Sequence, residues 1–241
     1  MSYLAHRRKA FRASAYTDDP GTYGLSFDGA NDYLDCGSDT SIDNIFDGGG
    51  TLAIRMNPAS DGENDLGRIV GKYAGGSGWQ FTVREESAGF VKLRLYQEFS
   101  TADGEWRTSS AVLPINTWST VALVYDSSSD ANVPKMYIDG VEQTLTENLT
   151  PSGTYASDAA LDMLFCESNT SGGTRAFDGD FDWIRIYDKE LSQAELQDIS
   201  AMSANLVANW ELEENTGTTA GAGQSSPTND GTIIGATWTT V

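Results

Sequence analysis

The residues of this chain that could do chemistry are mainly carboxylates. The 241 residues include 35 Asp and Glu against 15 Lys and Arg, and the formal net charge is −20. Turn carboxylates beside glycine carbonyls suit Ca²⁺, which takes about six to eight oxygen ligands. Asp-Gly pairs are also ordinary turn chemistry. The acidic turns can therefore be interpreted either as a calcium site or as simple turns, and both interpretations remain at this point.

Histidine and cysteine restrict the remaining chemistry. The single histidine is His6, so we expect no Ser-His-Asp triad and no His-ligated metal in the body of the chain. The start of the chain lacks the apolar core of a signal peptide, and no apolar run reaches membrane-spanning length. Without a secretion signal, Cys36 and Cys166 are expected to stay reduced, and a disulfide is the alternative. We expect no membrane partner.

Residues 1–22 are interpreted as a basic arm in front of an acidic body. Residues 1–17 contain four Lys and Arg and no acid, and the turn Asp18–Gly21 follows them. The acidic body repels nucleic acid, which is not an expected partner. We expect the arm to attach the protein to another protein. The predicted attachment residues are Arg7, Arg8, Lys9 and Arg12.

Short apolar runs separated by Gly, Ser, Thr, Asn and Asp predict an all-β body over residues 23–241. In the run Phe90–Tyr96, the residues Val91, Leu93 and Leu95 alternate with polar residues, which is typical of a strand with one wet face. The length suits a single β domain. No second domain is needed.

The segment Phe177–Ile199 predicts a strand followed by the one short helix of the chain, near its C-terminal third. Ile184 and Ile186 are expected on one face of the strand. Ser192 and Glu195 have the spacing of a capping box at the start of the helix.

This segment resembles the closing strand and helix of laminin-G-like domains, in the concanavalin A-like lectin/glucanase superfamily. The run from Phe27 to Tyr33 resembles the opening F-D-G-x-x-D-Y of the same family. The resemblance covers roughly residues 23–200 and implies a jelly-roll sandwich of two antiparallel sheets. The chain departs from the family near Arg55, where a tryptophan is usual.

The resemblance also implies a structural Ca²⁺ near the first and last core strands. Its predicted ligands are Asp28 and Asp182, with Asp32 as a further donor. Glucanases of the superfamily carry E-x-D-x-E on one strand, and this chain has no such triplet. The nearest run, Glu211–Glu214, lacks the central aspartate, so no catalytic residue is predicted.

Glycan binding needs aromatic rings that stack on sugars and polar groups that read hydroxyls. The candidates lie on the predicted wet faces of the sheets and in the rim loops, and Arg94 is one of those on a wet face. Any single aromatic taken alone is better explained by core packing. The predicted ligand-binding residues are Asn31, Trp79, Tyr96, Asn169, Arg175, Trp183 and Arg185.

The predicted function is a non-catalytic binding or decoration module with a glycan as its ligand. A laminin-G-like domain behind a short basic arm resembles accessory virion proteins of tailed phages, which implies a virion location and contacts with other virion proteins. The alternative is a secreted, extracellular carbohydrate-active enzyme or its carbohydrate-binding module.

The tail, residues 206–241, is predicted to complete the sandwich. In relatives, stretches similar to L-V-A-N-W and N-D-G-T-I open the domain, whereas here they close the chain. An unfilled strand position would leave a bare sheet edge. The tail is expected to pair within its own chain or to be exchanged with a second copy in a homo-oligomer.

Overall fold

Two antiparallel β-sheets packed face to face form the body of the protein. The computed structural model describes residues 20–167, 175–199, 203–223 and 229–241. One sheet, here sheet A, has eight strands. In spatial order it contains β11 (Val141–Glu142), β10 (Lys135–Ile138), β9 (Ser119–Tyr125), β3 (Gly50–Pro58), β14 (Asp178–Tyr187), β1 (Tyr23–Asp28) and β18 (Thr237–Thr240), with β15 (Leu206–Trp210) beside β14.

The opposing sheet, sheet B, has ten strands. In spatial order it contains β12 (Leu145–Leu149), β7 (Gly104–Thr108), β6 (Phe90–Gln97), β5 (Ser77–Ser87), β4 (Gly67–Ala74), β13 (Leu164–Phe165), β2 (Tyr33–Asp35), β17 (Gly231–Ile234) and β16 (Thr219–Ala220), with β8 (Leu113–Pro114) beside β6. Short 3-10 turns occupy Thr40–Ile42 and Glu63–Asp65. The predicted all-β jelly-roll sandwich is confirmed.

The hydrophobic core lies between the two sheets and follows strand alternation. On β6 the residues Val91, Leu93 and Leu95 are fully buried in it, as the sequence predicts. Trp106 and Trp210 fill it from sheet B and sheet A. Replacing a core tryptophan by alanine typically costs about 3–5 kcal/mol.

Strand β14 is the centre of sheet A. It pairs with β3 along its length, and its other edge pairs first with β1 and then with β15. The register to β3 shifts between Phe181 and Trp183, which marks a β-bulge. Beyond the bulge, Ile184 and Ile186 face the core, whereas Trp183 lies on the outer side of sheet A.

The helix α1 (Gln193–Leu196) covers part of that outer side. Its capping box is present as predicted, because Ser192 N donates to Glu195 Oε2 at 2.8 Å and Glu195 N donates to Ser192 Oγ at 3.4 Å. Leu191 and Leu196 pack with Trp183 in a second apolar cluster. So short a helix is unstable alone, and this packing holds it.

The tail contributes strands to both sheets within its own chain. Strand β15 pairs with β14, β17 pairs with β2, and β18 pairs with β1. The indole nitrogen of Trp210 donates to the carbonyl of Asn229 at 2.8 Å, which ties β15 to the segment before β17. These strands cover edges that would otherwise be bare.

Other sequence predictions concern thiols, membranes and the arm. Cys36 and Cys166 are free and buried, and burial raises the pKa of both thiols. No helix in the described part of the chain is long and apolar enough to cross a membrane. The predicted attachment residues lie outside the described residues; they are Arg7, Arg8, Lys9 and Arg12.

Candidate functional site

Two predicted sugar-stacking residues are buried, which corrects their predicted place on wet sheet faces. Trp79 is 1% exposed in the core between the sheets, and its indole nitrogen donates to Asp158 Oδ2 at 2.8 Å. Trp183 is also 1% exposed, beneath Leu191 and beside the guanidinium of Arg185, which lies 4.4 Å from its ring. Both rings are occupied by protein contacts.

Of three further predicted residues, Arg185 lies beside one of these tryptophans, Trp183. Arg185 is buried on sheet A, where its Nη2 lies 3.2 Å from Glu211 Oε1. Asn31 is exposed in the turn between β1 and β2. Asn169 lies outside the described residues.

The remaining predicted residues, Tyr96 and Arg175, are associated with strands β6 and β4 of sheet B, respectively. Tyr96 stands on β6 beside Arg94. The backbone amide of Arg68, on β4, donates to the carbonyl of Arg175 at 3.0 Å. Burial, and then the positive charge of Arg175, lower the pKa of Arg68 to about 10.

We call this surface the polar face. It consists of the side chains of strands β4 to β7 that point away from the core. Along each strand they alternate with the core residues. Its members are Arg68, Tyr73, Gln80, Thr82, Arg84, Phe90, Lys92, Arg94, Tyr96, Glu105 and Arg107.

Strand register places these side chains directly opposite one another. Arg94 on β6 is paired with Thr82 on β5 and with Arg107 on β7. Tyr96 is paired in the same way with Gln80 and Glu105. Directly opposed side chains lie within contact distance across a sheet. The polar face is therefore one connected surface.

Ion pairs run across the middle of the polar face. Arg94 Nε donates to Glu105 Oε2 at 2.7 Å, and Arg107 Nε donates to Glu105 Oε1 at 2.6 Å. Arg107 Nη1 then contacts Glu85 Oε1 at 2.5 Å, and Glu85 Oε2 lies 2.7 Å from Lys92 Nζ. Burial raises the pKa of Glu105, but the two arginines outweigh it and the net shift is downward.

Two guanidinium groups of the polar face stack on tyrosines. The Arg94 guanidinium carbon lies 4.9 Å from the ring centre of Tyr96, and that of Arg68 lies 5.6 Å from Tyr73. The two tyrosine rings meet edge-on, with centres 5.9 Å apart. The Tyr96 hydroxyl donates to Asp103 Oδ2 at 2.6 Å. Burial, followed by this hydrogen bond, raises the pKa of Tyr96.

The other end of the polar face opens into a shallow cleft of about 550 Å³. Phe90 and Lys92 line it together with Glu85 and the exposed Ser109 and Ser110. Phe90 is 41% exposed, which is unusual for a large apolar side chain. This cleft offers an aromatic ring next to hydroxyls and charges.

The sequence analysis missed Arg68, Tyr73 and Phe90. A register shift between Arg68 and Val70 marks a β-bulge, which breaks the alternation that would have assigned the faces of β4. Phe90 could have been found, because it is in phase with Arg94 and Tyr96 on β6.

The predicted calcium ligands are not brought together. Asp28 is exposed and pairs in register with Asp178, four positions along β14 from Asp182. Asp182 is fully buried, and its Oδ2 accepts a hydrogen bond from Arg55 Nη1 at 2.7 Å. Four strand residues span about 13 Å, too far for one ion.

The third predicted ligand is engaged in its own turn. Asp32 Oδ2 accepts from the backbone amide of Asp28 at 3.1 Å. No group of three or more metal-ligating side chains occurs among the described residues. The predicted donor set therefore does not fit Ca²⁺. Calcium binding as such stays a prediction.

Comparisons with known proteins agree with this architecture. A family model described as the concanavalin A-like lectin/glucanases superfamily (Laminin_G_3) matches residues 28–197. No curated protein matches the chain.

Solved structures with the same fold have low sequence identity. A candidate carbohydrate-binding protein from Bacteroides ovatus ATCC 8483 is 17% identical, with a TM-score of 0.63, over 93% of this chain and 61% of its own. A heptameric SAP-like pentraxin from Limulus polyphemus is 14% identical, with a TM-score of 0.56, over 77% of this chain and 84% of its own. The CBM40 of a Ruminococcus gnavus IT-sialidase is 16% identical, with a TM-score of 0.50, over 75% of this chain and 100% of its own.

Proposed function

The chain belongs to the laminin-G-like family of the concanavalin A-like lectin/glucanase superfamily, and we propose that it is a non-catalytic module that binds a glycan on its polar face. The fold is that of lectin-like and carbohydrate-binding domains. Such folds host many functions, so the site carries the proposal.

The single observation that carries it is the arrangement of rings and donors along β6. Phe90, Lys92, Arg94 and Tyr96 project from one side of this strand, with the exposed ring at one end and the stacked tyrosines at the other. Sugars are bound by apolar ring faces combined with a few fixed polar groups. Ion pairs and stacking hold Arg94 in place before a ligand arrives, which lowers the entropic cost of binding.

The carboxylates near the polar face support a non-catalytic role. Glu98 and Asp103 hydrogen-bond each other and the nearby Tyr73 and Tyr96. Groups in direct contact are closer than the roughly 5 Å of retaining or the 6.5–9.5 Å of inverting glycosidases. This pair leaves no space for a sugar or a water between its members.

The related Bacteroides ovatus structure is named for carbohydrate binding, which supports the ligand class. The setting of the module is a separate part of the proposal. A phage virion with the arm as anchor is the leading setting, and a secreted carbohydrate-active enzyme is the alternative. The predicted attachment residues of the arm lie outside the described residues, so this part depends on the sequence alone.

A glycan microarray probed with the full-length protein tests the proposal. We expect a restricted set of glycans to bind, and binding to be lost in Phe90→Ala and Tyr96→Ala, because these rings supply stacking surface worth about 1 kcal/mol or more each. Folding of each variant is checked by its melting temperature.

Val141→Ala is the matched control. Val141 is 55% exposed on β11 at the edge of sheet A, outside strands β4 to β7, so its removal tests a general loss of apolar surface. Binding that survives both aromatic substitutions, or no binding to any glycan, would contradict the proposal.

A further inference from the structure

We propose that the glycan is acidic and that its carboxylate or sulfate groups bind the cations of the polar face, with Arg94 at the centre. This inference rests on the proposed glycan function and adds the chemical class of the ligand. It comes from the distribution of charge along the chain and from a buried hydrogen-bond donor of Arg94 that has no partner among the described residues.

Cations are concentrated where the polar face is built. Residues 67–108, which contain β4 to β7, hold six Lys and Arg against five Asp and Glu. The rest of the chain beyond residue 17 holds five basic against 30 acidic residues. The segment that contains the polar face is therefore close to neutral within a strongly acidic protein.

The ion pairs of the polar face leave positive charge uncompensated. Glu105 is shared by Arg94 and Arg107, and Glu85 is shared by Arg107 and Lys92. Arg84 adds a further cation 3.2 Å from Glu85. Asp65 lies 3.9 Å from Arg84 but is half exposed, so this pairing is weak.

Arg94 has one nitrogen that is not used in this network. Arg94 uses Nε and Nη2 on Glu105 Oε2, at 2.7 and 2.6 Å. Its Nη1 is buried and has no hydrogen-bond partner among the described residues, and the whole residue is 7% exposed. A buried guanidinium donor without a partner is energetically unfavourable, and an anionic ligand oxygen would satisfy it.

The neighbouring hydroxyl shows the same pattern. Thr82, directly opposite Arg94 on β5, is fully buried, and its Oγ1 also has no partner within the described chain. A carboxylate or sulfate that binds Nη1 has further oxygens to accept from this hydroxyl. Arg is also better suited than Lys to this planar recognition.

A dextran series separates acidity from sugar recognition. Dextran, carboxymethyl-dextran and dextran sulfate share a backbone and differ in charged group, and their affinities are measured by biolayer interferometry. Because the net charge of −20 repels polyanions, binding must be local. We expect an acidic dextran to bind at least about tenfold more tightly than dextran, with the preferred derivative distinguishing carboxylate from sulfate.

Variants locate the binding. We expect Arg94→Gln to weaken it by about tenfold or more, and Arg94→Lys to restore only part of the loss. Lys92 is partly exposed, so Lys92→Gln is expected to fold and to weaken binding by about twofold to fivefold. Lys135→Gln removes an exposed cation from sheet A and is the matched control, with an effect below about twofold.

The two proposals fail differently. Equal affinity for dextran and its acidic derivatives, together with array binding that Phe90→Ala abolishes, would overturn the acidic ligand and leave glycan binding intact. Acidic dextrans that bind without responding to Arg94→Gln or Lys92→Gln would overturn the assigned site. If Arg94→Gln fails to fold, the affinity of Lys92→Gln for the acidic dextrans is compared with that of Lys135→Gln. A loss confined to Lys92→Gln would support the assigned site, and equal affinities would overturn it.

Discussion

Individual side chains of the polar face are held by their neighbours before any ligand binds. Arg94 stacks on Tyr96 and pairs with Glu105, so its aliphatic stem and two of its nitrogens are fixed. Fixed guanidinium groups lose little further entropy on binding. Nη1 is the nitrogen of Arg94 that Glu105 does not engage, and because it is buried, a ligand oxygen can bind it only if neighbouring side chains move.

Asp182 shows how burial changes the behaviour of one carboxylate. Burial raises the pKa of Asp182 to about 6 from its ordinary value of 3.8, even though Arg55 and the amide of Gly21 act against the shift. A raised pKa means that the folded state binds the proton more tightly. The stabilising contribution is full below pH 3.8 and is lost as the pH rises toward 6.

We predict that Asp182→Asn removes this pH dependence. The difference in unfolding free energy between variant and native protein should change by about 1–2 kcal/mol between pH 4 and pH 6, as measured by urea denaturation. Asp28→Asn is the control, since that carboxylate is exposed. A constant difference across this range would show that Asp182 is not perturbed.

At the scale of elements, the helix α1 depends on its cap. Hydrogen bonds from Lys189 and Ser192 hold the pKa of Glu195 at about 2, so this contribution is present above pH 4.5 and fades as the pH falls toward 2. The helix in turn covers Trp183 on sheet A.

We predict that Ser192→Ala lowers the unfolding free energy by about 1 kcal/mol at neutral pH, because the hydroxyl that accepts from Glu195 N is lost. Thermal and urea denaturation measure the change. Ser38→Ala, at an exposed position after β2, is the matched control. Equal stability of the two variants would mean that the capping box contributes nothing.

Strand alternation allowed much of the fold to be predicted from sequence. Where a β-bulge interrupts the alternation, the prediction of side-chain positions failed. On β6 the regular alternation placed Leu93 inside and Arg94 outside, as the structure has them. On β4 the bulge after Arg68 interrupts the two-residue alternation of side chains. The stacking of Arg68 on Tyr73 was therefore not predicted. Trp79 was misplaced because an aromatic on a strand does not by itself reveal which sheet face is core.

Contacts between distant segments were the least predictable. The family resemblance implies that Asp28 and Asp182 share one ion, but the register of β1 against β14 pairs Asp28 with Asp178 instead. A one-residue change of register would alter which side chains meet. Site geometry therefore requires the sheet pairing that only the three-dimensional structure provides.

At the scale of the whole molecule, the two sheets have different surroundings. Part of the outer side of sheet A is covered by α1, whereas the outer side of sheet B carries the ion pairs and the exposed Phe90. The tail joins both sheets through β15, β17 and β18 and so holds the sandwich together. The outer side of sheet B is therefore the surface on which we place the proposed binding.

The most direct test of glycan binding on the polar face is an NMR titration of the ¹⁵N-labelled full-length protein with a glycan selected on the array. We predict that the largest amide shift changes fall on β4 to β7 and include Phe90, Arg94 and Tyr96. Shift changes confined to the β1–β2 turn around Asn31, or to the outer side of sheet A, would contradict the account.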